Sequence, residues 1–433
     1  MERYINSFAT ENDIQIALNN GELLKPYVAY IEDADRIDWN SKEKVDYTTE
    51  YLTFNILSAG TINWTASSTD ITKAIDYKLN DGGWTSVTSN TGSSAPFIEV
   101  NSGDKLQFRG NNAQYATNYS IYNSFSGSTA EFEVEGNIMS LIYGDNFKNN
   151  LTISSTYSLA SLFRNCAKLV SAENLVLPAT TLTNSCYQSM FGGCTSLITA
   201  PALPATTLAN NCYNGMFSNC TSLKTSPALP ATKLVDSCYS AMFYNCTSLT
   251  TAPALPATTL ANNCYSSVFK GCTKLTTAPA LPATTLANGC YYQMFYDCTS
   301  LITAPSLPAT TLAEGCYYGM FWGCKSLTTA PSLPATSLAE SCYRDMFYVC
   351  TNLTTVPELP ATTLASLCYD SMFKGCTSLN YIKCLATNIS AYNCTGGWVY
   401  GVAATGTFVK AAGMTGWTTG NSGIPNGWTV QDA

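Results

Sequence analysis

The residues with the most obvious chemical potential are nineteen cysteines, sixteen of which form pairs with the spacing C-x7-C, such as Cys212 and Cys220. Paired thiols could form a ladder of disulfides, an array of metal sites, or a column of buried free thiols, because cysteine packs as a small apolar side chain. Zinc sites favour closer cysteine spacing and histidine, and disulfides need an oxidising compartment. The pattern favours buried free thiols and leaves the two alternatives open.

The sequence contains no histidine, which removes the commonest general base and the commonest metal ligand. A short acidic run, Glu32, Asp33, Asp35 and Asp38, could bind calcium or supply a hydrolytic carboxylate pair. It lacks the glycine-spaced loop of calcium motifs, so we expect a solvated turn between strands. We therefore predict no enzymatic activity, no metal and no cofactor.

Charge and hydropathy exclude two classes of partner. The net charge is −8 and there is no basic run, whereas phosphate contacts need clustered lysine and arginine, so we expect no nucleic-acid partner. No apolar stretch is long enough to span a bilayer, so we expect no membrane insertion. The first fifteen residues have neither a basic nor an apolar region, so we expect no secretory signal.

A 26-residue repeat organises most of the cysteines. Within one unit, Cys212, Met216, Phe217 and Cys220 have the spacing i, i+4, i+5, i+8, which predicts one face of a short helix. A short β segment follows the second cysteine of each unit. In the preceding unit it begins at Leu197. A unit this short cannot bury its apolar face alone, so the units must stack. Full units begin at Cys186, Cys212, Cys238, Cys264, Cys290, Cys316, Cys342 and Cys368.

The repeated strings CY, MF, CTSL and LPATTL, over residues 151–393, resemble the BspA-like leucine-rich repeats of gut Bacteroidales surface proteins and of their crAss-like and other phages. Residues 131–147 and the C-terminal tail resemble the flanks of the same group. The resemblance implies a right-handed α/β solenoid that serves adhesion or protein interaction, and it implies no catalytic residue.

Two positions vary among units, two and six residues after the first cysteine, so we expect them to face outward. Stacking would bring their larger side chains into one patch. Clustered tyrosine, tryptophan and arginine are typical of binding surfaces. Two alternatives stay open: the rings could fold over their own backbone or pack against another subunit of a homo-oligomer. The predicted ligand or partner residues are Tyr244, Tyr292, Tyr296, Tyr318, Trp322, Arg344 and Tyr348.

The segment before the repeats divides into two parts. Residues 10–20 predict a helix, and the runs 26–33 and 36–40 predict short strands. The string KPYVAYI…IDWN resembles the N-terminal stretch of Bacteroidales phage structural proteins, which implies an anchor to other virion proteins. The predicted anchoring residues are Tyr27, Tyr30, Ile37 and Trp39.

Residues 47–142 contain seven or eight β-type runs separated by turn signals, which predicts an immunoglobulin-like β-sandwich. One turn, at residues 80–83, predicts a hairpin with Trp84 on its return strand. The predicted fold class is mainly β with short helices, a sandwich followed by the solenoid. The predicted parts are an anchoring segment, the sandwich, the solenoid of about nine units and a C-terminal cap, at residues 1–46, 47–142, 143–393 and 394–433.

Together these features predict a structural virion protein of a Bacteroidales phage, in a fibre, the tail or the capsid decoration. Its solenoid would bind a host surface glycan or protein. The alternative is a non-enzymatic BspA-like adhesin on the bacterial cell surface.

Overall fold

The computed structural model describes residues 28–31, 34–38 and 46–433, and the chain divides into two compact units, Met1–Asp46 and Tyr47–Ala433. In the first unit, β1 (Val28–Ile31) and β2 (Ala34–Asp38) overlap the two predicted short strands, and they pair antiparallel. The predicted helix at residues 10–20, Tyr27, Trp39 and the side chains of Tyr30 and Ile37 lie outside the described residues.

The second unit begins with a β-rich region of nine strands, eight of which overlap seven of the predicted β-type runs. The eighth predicted β-type run, YSIY at residues 119–122, is instead a bend, apart from a bridge between Tyr122 and Ala116. The predicted hairpin is present, but Trp84 immediately precedes its return strand. The strands are β3 (Leu52–Ile56), β4 (Gly60–Asn63), β5 (Thr65–Ala66), β6 (Ala74–Leu79), β7 (Thr85–Thr88), β8 (Phe97–Val100), β9 (Lys105–Arg109), β10 (Asn123–Ser124) and β11 (Phe132–Asn137).

A six-stranded sheet joins this region to the first repeat. Its order is β12-β11-β3-β9-β6-β7, where β12 (Leu169–Val176) comes from the first repeat and runs parallel to β11. Two smaller pairs, β4 with β8 and β5 with β10, accompany it. Phe163 stacks on Phe125 at 5.7 Å and on Phe191 at 5.2 Å, so one core runs from the sheet into the repeats. The sandwich itself and the boundaries at residues 142 and 393 stay predictions.

Helices are few, so the described part of the fold is mainly β. The helix α1 (Ser140–Tyr143) continues into a 3-10 helix at Gly144–Asn149. The other 3-10 helices are Tyr47–Thr49, Thr69–Ile71 and Gly92–Ser94. Every helix in the described part of the chain therefore ends before the first full unit at Cys186, and none is long and apolar enough to cross a membrane.

The prediction of a short helix in each repeat is wrong. The segment is a series of consecutive turns in which N–H groups alternate between two partners. The Met216 N–H donates to the Tyr213 carbonyl three residues back, at 3.1 Å, whereas the Phe217 N–H donates to the Met242 carbonyl of the next unit, at 2.9 Å. Every fourth residue has a positive φ, for example Asn211 at 57° and Asn219 at 61°. The chain therefore has a period of four residues and builds a hydrogen-bonded ladder between units, which an α-helix could not do.

The opposite side of each unit carries single parallel bridges, such as Thr277↔Thr303, because the prolines of the AP and LPAT strings lack N–H donors. At the end of the array, three parallel strands form a small sheet: β13 (Tyr381–Cys384) in the last unit, and β14 (Thr407–Lys410) and β15 (Thr429–Asp432) beyond it. The buried Trp398 covers the end of the array and stacks on Tyr369 at 6.0 Å. The right-handed sense of the predicted solenoid stays a prediction.

Candidate interaction surface

The interior of the repeats is built from columns of identical side chains. Successive tyrosines stack at about one-unit spacing, as Tyr213 and Tyr239 do at 5.8 Å with planes 4° apart, and the phenylalanines one turn later stack similarly. All of these rings are buried. Burial raises the pKa of the tyrosine hydroxyls, and five of them have no hydrogen-bond partner within the described residues: Tyr187, Tyr213, Tyr239, Tyr265 and Tyr291.

All nineteen cysteines are buried and free. The second cysteine of each unit donates its thiol hydrogen to a phenylalanine carbonyl of the preceding unit, as Cys220 Sγ does to Phe191 O at 3.1 Å. Burial raises the pKa of this thiol well above its ordinary value. The thiols therefore act as small apolar side chains with a weak donor, and they bind the units together rather than forming a reactive site.

The outer face carries two further columns, which contain all seven predicted ligand or partner residues. In the first column, Tyr292 stacks on Tyr318 at 4.8 Å, and the Arg344 guanidinium lies 5.5 Å from the Tyr318 ring. Arg344 Nε is 3.1 Å from Asp370 Oδ2 and 3.7 Å from Asp345 Oδ2. The arginine is therefore held over the tyrosine by two carboxylates.

The second column contains a stack of three rings with a lysine at each end. Tyr296 lies 5.1 Å from Trp322, and Trp322 lies 4.0 Å from Tyr348. Lys270 Nζ is 4.1 Å from the Tyr296 ring, and Lys374 Nζ is 5.3 Å from the Tyr348 ring. We call Lys270, Tyr296, Trp322, Tyr348 and Lys374 the lysine-capped stack. Tyr244 adjoins it through Lys270, at 5.9 Å.

The predicted residues are therefore brought together, but their ring faces are covered. All seven side chains are half-buried, and each of the three rings in the lysine-capped stack has a neighbour on both faces. These side chains nevertheless stay partly accessible. Sequence reasoning left Lys270 and Lys374 outside the site, although they occupy the same variable position as the rings and flank them.

Partial burial also shapes the electrostatics of this face. Burial raises the pKa of Asp345, even though Tyr318 and Arg344 oppose the shift. Burial, together with Asp345, raises the pKa of Tyr318 to about 12. Burial lowers the pKa of Lys270, whose ammonium group donates to Gln293 Oε1 at 2.8 Å. The face thus carries polar groups in fixed positions, which suits recognition more than proton transfer.

Comparison with known families gives one match. The family model described as BspA type leucine-rich repeat region matches residues 143–276 and 290–395 in six copies, which is more than half of the chain. A search of curated proteins finds no match. A search of solved structures finds none either.

Proposed function

The chain belongs to the BspA-type leucine-rich-repeat family, and on that premise we propose that it is a non-enzymatic protein of surface adhesion or protein interaction. The observation that carries this proposal is the lysine-capped stack with the Tyr292–Tyr318–Arg344 column beside it. Together they gather tyrosine, tryptophan, arginine and lysine on one face of a hydrogen-bonded repeat array.

Two features of these columns support a binding role. Their residue types change from unit to unit, while the inner cysteine, tyrosine and phenylalanine columns hardly change, so the fold does not dictate them. Their side chains are also ordered by stacking before any ligand arrives. Ordered side chains lose less conformational entropy on binding, which favours affinity. The composition is that of interface hot spots.

We further assign this surface to a virion of a Bacteroidales phage, where the protein would belong to a fibre, the tail or the capsid decoration. The N-terminal segment, with Tyr27, Tyr30, Ile37 and Trp39, would anchor it to other virion proteins. The support is the resemblance of residues 25–40 to phage structural proteins, over a stretch that contains the β1–β2 pair. The sandwich would act as a spacer, and the solenoid would face a host glycan or protein. The protein would act as a homo-oligomer.

The alternative is a BspA-like adhesin on the bacterial surface, which the family match supports equally. The two locations are separated by fractionating a culture that produces the chain on a density gradient and detecting it by mass spectrometry. Co-migration with intact particles at fixed stoichiometry supports the virion. Recovery with cell envelopes instead supports the bacterial adhesin and removes the phage assignment.

The binding role is tested with purified chain on intact host cells. We expect the double substitution Tyr296→Ala and Trp322→Ala to lower cell binding by about tenfold or more, since hot-spot truncations cost about 2 kcal/mol each. Circular dichroism must show that the variant stays folded. Unchanged binding by a folded variant would remove the lysine-capped stack from consideration.

A further inference from the structure

A polar cleft lies at the start of the repeat array, where the second outer column carries small side chains. At the position that holds Tyr244, Tyr296 and Trp322 in later units, the first two full units have Gly192 and Ser218. The missing rings leave a cleft of about 390 Å³. This volume lies within the range of about 300–1,000 Å³ typical of small-molecule sites.

The walls of this cleft are rich in neutral hydrogen-bonding groups. Ser189, Gly192 and Gly215 form a buried part of the lining, and the side-chain amides of Asn165 and Asn219 are exposed at its rim. Asn219 uses its amide in contacts with Ser218 and Asn245, at 3.1 and 3.2 Å. The Asn165 amide makes no hydrogen bond in the described part of the chain, so it can donate to and accept from a ligand.

One cation, Arg164, lines the cleft. Arg164 donates from Nη1 to the Tyr119 carbonyl at 3.0 Å and from Nη2 to the Tyr119 hydroxyl at 2.8 Å. Its guanidinium also lies 4.2 Å from the Tyr119 ring. These contacts fix the side chain but occupy only two of its N–H groups. No carboxylate lines the cleft, and within residues 46–433 Arg164 has no ion pair.

We propose that this cleft binds a saccharide that carries a carboxylate. Amide and hydroxyl groups match the alternating donors and acceptors of sugar hydroxyls, and an unpaired, pre-positioned guanidinium matches a carboxylate. A peptide would need apolar anchor pockets, whereas the lining offers few apolar side chains. The inference rests on the proposed adhesion function and adds a ligand class and a second site to it.

The test compares 3′-sialyllactose with lactose, which lacks the acidic sugar, by isothermal titration calorimetry on the full chain. Ser218→Tyr should fill the cleft without harming the fold, because Tyr244 occupies the equivalent position in the next unit. Arg164→Gln should remove the cation. The matched control is Lys168→Gln, which removes a nearby exposed cation that pairs with Glu131 at 3.2 Å.

We expect wild type and Lys168→Gln to bind sialyllactose at least tenfold more tightly than lactose. We expect Ser218→Tyr to lose binding of both sugars and Arg164→Gln to lose the preference for sialyllactose. Absence of sialyllactose binding, equal binding of the two sugars by wild type, or binding that survives Ser218→Tyr would each overturn the inference. If sialyllactose does not bind while truncation of the lysine-capped stack still abolishes host-cell binding, the inference about the cleft fails and the adhesion function stands.

Discussion

The inner and outer columns of the repeat array share one stacking geometry and differ in what surrounds them. Phe269 stacks between Phe243 and Phe295 at 5.8 and 5.7 Å and is fully buried. Trp322 stacks between Tyr296 and Tyr348 at 5.1 and 4.0 Å and is half-buried. The repeat spacing imposes both stacks, since equivalent residues of adjacent units always become neighbours.

Stacking alone therefore does not show whether a ring stabilises the fold or binds a partner. An inner ring is surrounded by protein on every side, so replacing it with a smaller side chain leaves a cavity. An outer ring stays partly accessible to solvent. Replacing it with a smaller side chain therefore leaves no closed cavity and lowers the free energy of unfolding by less. We therefore expect inner substitutions to change stability and outer substitutions to change binding.

The largest effect is expected for the inner thiols. Because burial raises their pKa values and closes access, Ellman's reagent at pH 8 should label the native chain at least about a hundredfold more slowly than the unfolded chain, in which all nineteen should react. Rapid labelling of several thiols in the native protein would contradict the closed interior.

A large effect on stability is expected for Phe269→Ala. It should lower the free energy of unfolding by about 3–5 kcal/mol, because it leaves a cavity and breaks two ring contacts. Trp322→Ala, the matched outer change, should cost less, about 1–3 kcal/mol, because it breaks two ring contacts of about 0.5–1.5 kcal/mol each but leaves no closed cavity. Urea unfolding of both variants measures the difference. Equal losses would mean that the outer stack belongs to the core.

A smaller effect on stability is expected at Gly323, where the backbone conformation disfavours any side chain. Gly323 has a φ of 71°, and a Cβ there would lie 2.2 Å from Asp297 Oδ1 of the preceding unit. Gly323→Ala should therefore destabilise the chain by about 1–2 kcal/mol. Adding Asp297→Gly should recover part of this loss, because it frees the space while suiting the positive φ at that position. A double variant no more stable than Gly323→Ala would show that only the backbone conformation matters.

The smallest effect is expected at Asp345. Because its pKa is raised by burial, the folded chain holds this proton more tightly than the unfolded chain does. Proton binding at Asp345 therefore stabilises the folded chain at low pH. This stabilisation is lost as the pH rises from the ordinary aspartate pKa towards the raised pKa of the folded chain. Asp345→Asn should then increase stability at pH 7 by less than about 1 kcal/mol, and the gain should vanish at acidic pH.

Thermal unfolding of Asp345→Asn at pH 7 and at pH 3.5 provides the measurement. Glu314→Gln, at an exposed position in the same array, serves as the control. A variant less stable than wild type at pH 7 would show that the contacts of Asp345 with Arg344 and Tyr318 outweigh its burial.

The sequence allowed the repeat length and the outward-facing columns to be predicted, because identity between units is visible without a structure. The helix was mispredicted because Cys212, Met216 and Cys220 recur every four residues, which is close to the helical period of 3.6. The missed signal in this unit was the set of residues Asn211, Gly215 and Asn219, which also recur every four residues and favour positive φ.

The covering of the ring faces could not be predicted. Spacing along the chain places Trp322 beside Tyr348, but it does not say that both rings lie flat on one another rather than side by side. The position of Lys270 over Tyr296 likewise depends on the direction that a long, flexible side chain takes.

The central claim is that the outer columns bind and the inner columns stabilise. The most direct test compares the double variant Tyr296→Ser and Trp322→Ser, which borrows the residue found at Ser218, with Phe269→Leu, which alters the inner column. Host-cell binding and melting temperature are measured for each at a temperature where both are folded. We predict that the outer variant loses at least tenfold in binding with little change in melting temperature, and that the inner variant melts several degrees lower while still binding. Undiminished binding by the folded outer variant would contradict the account.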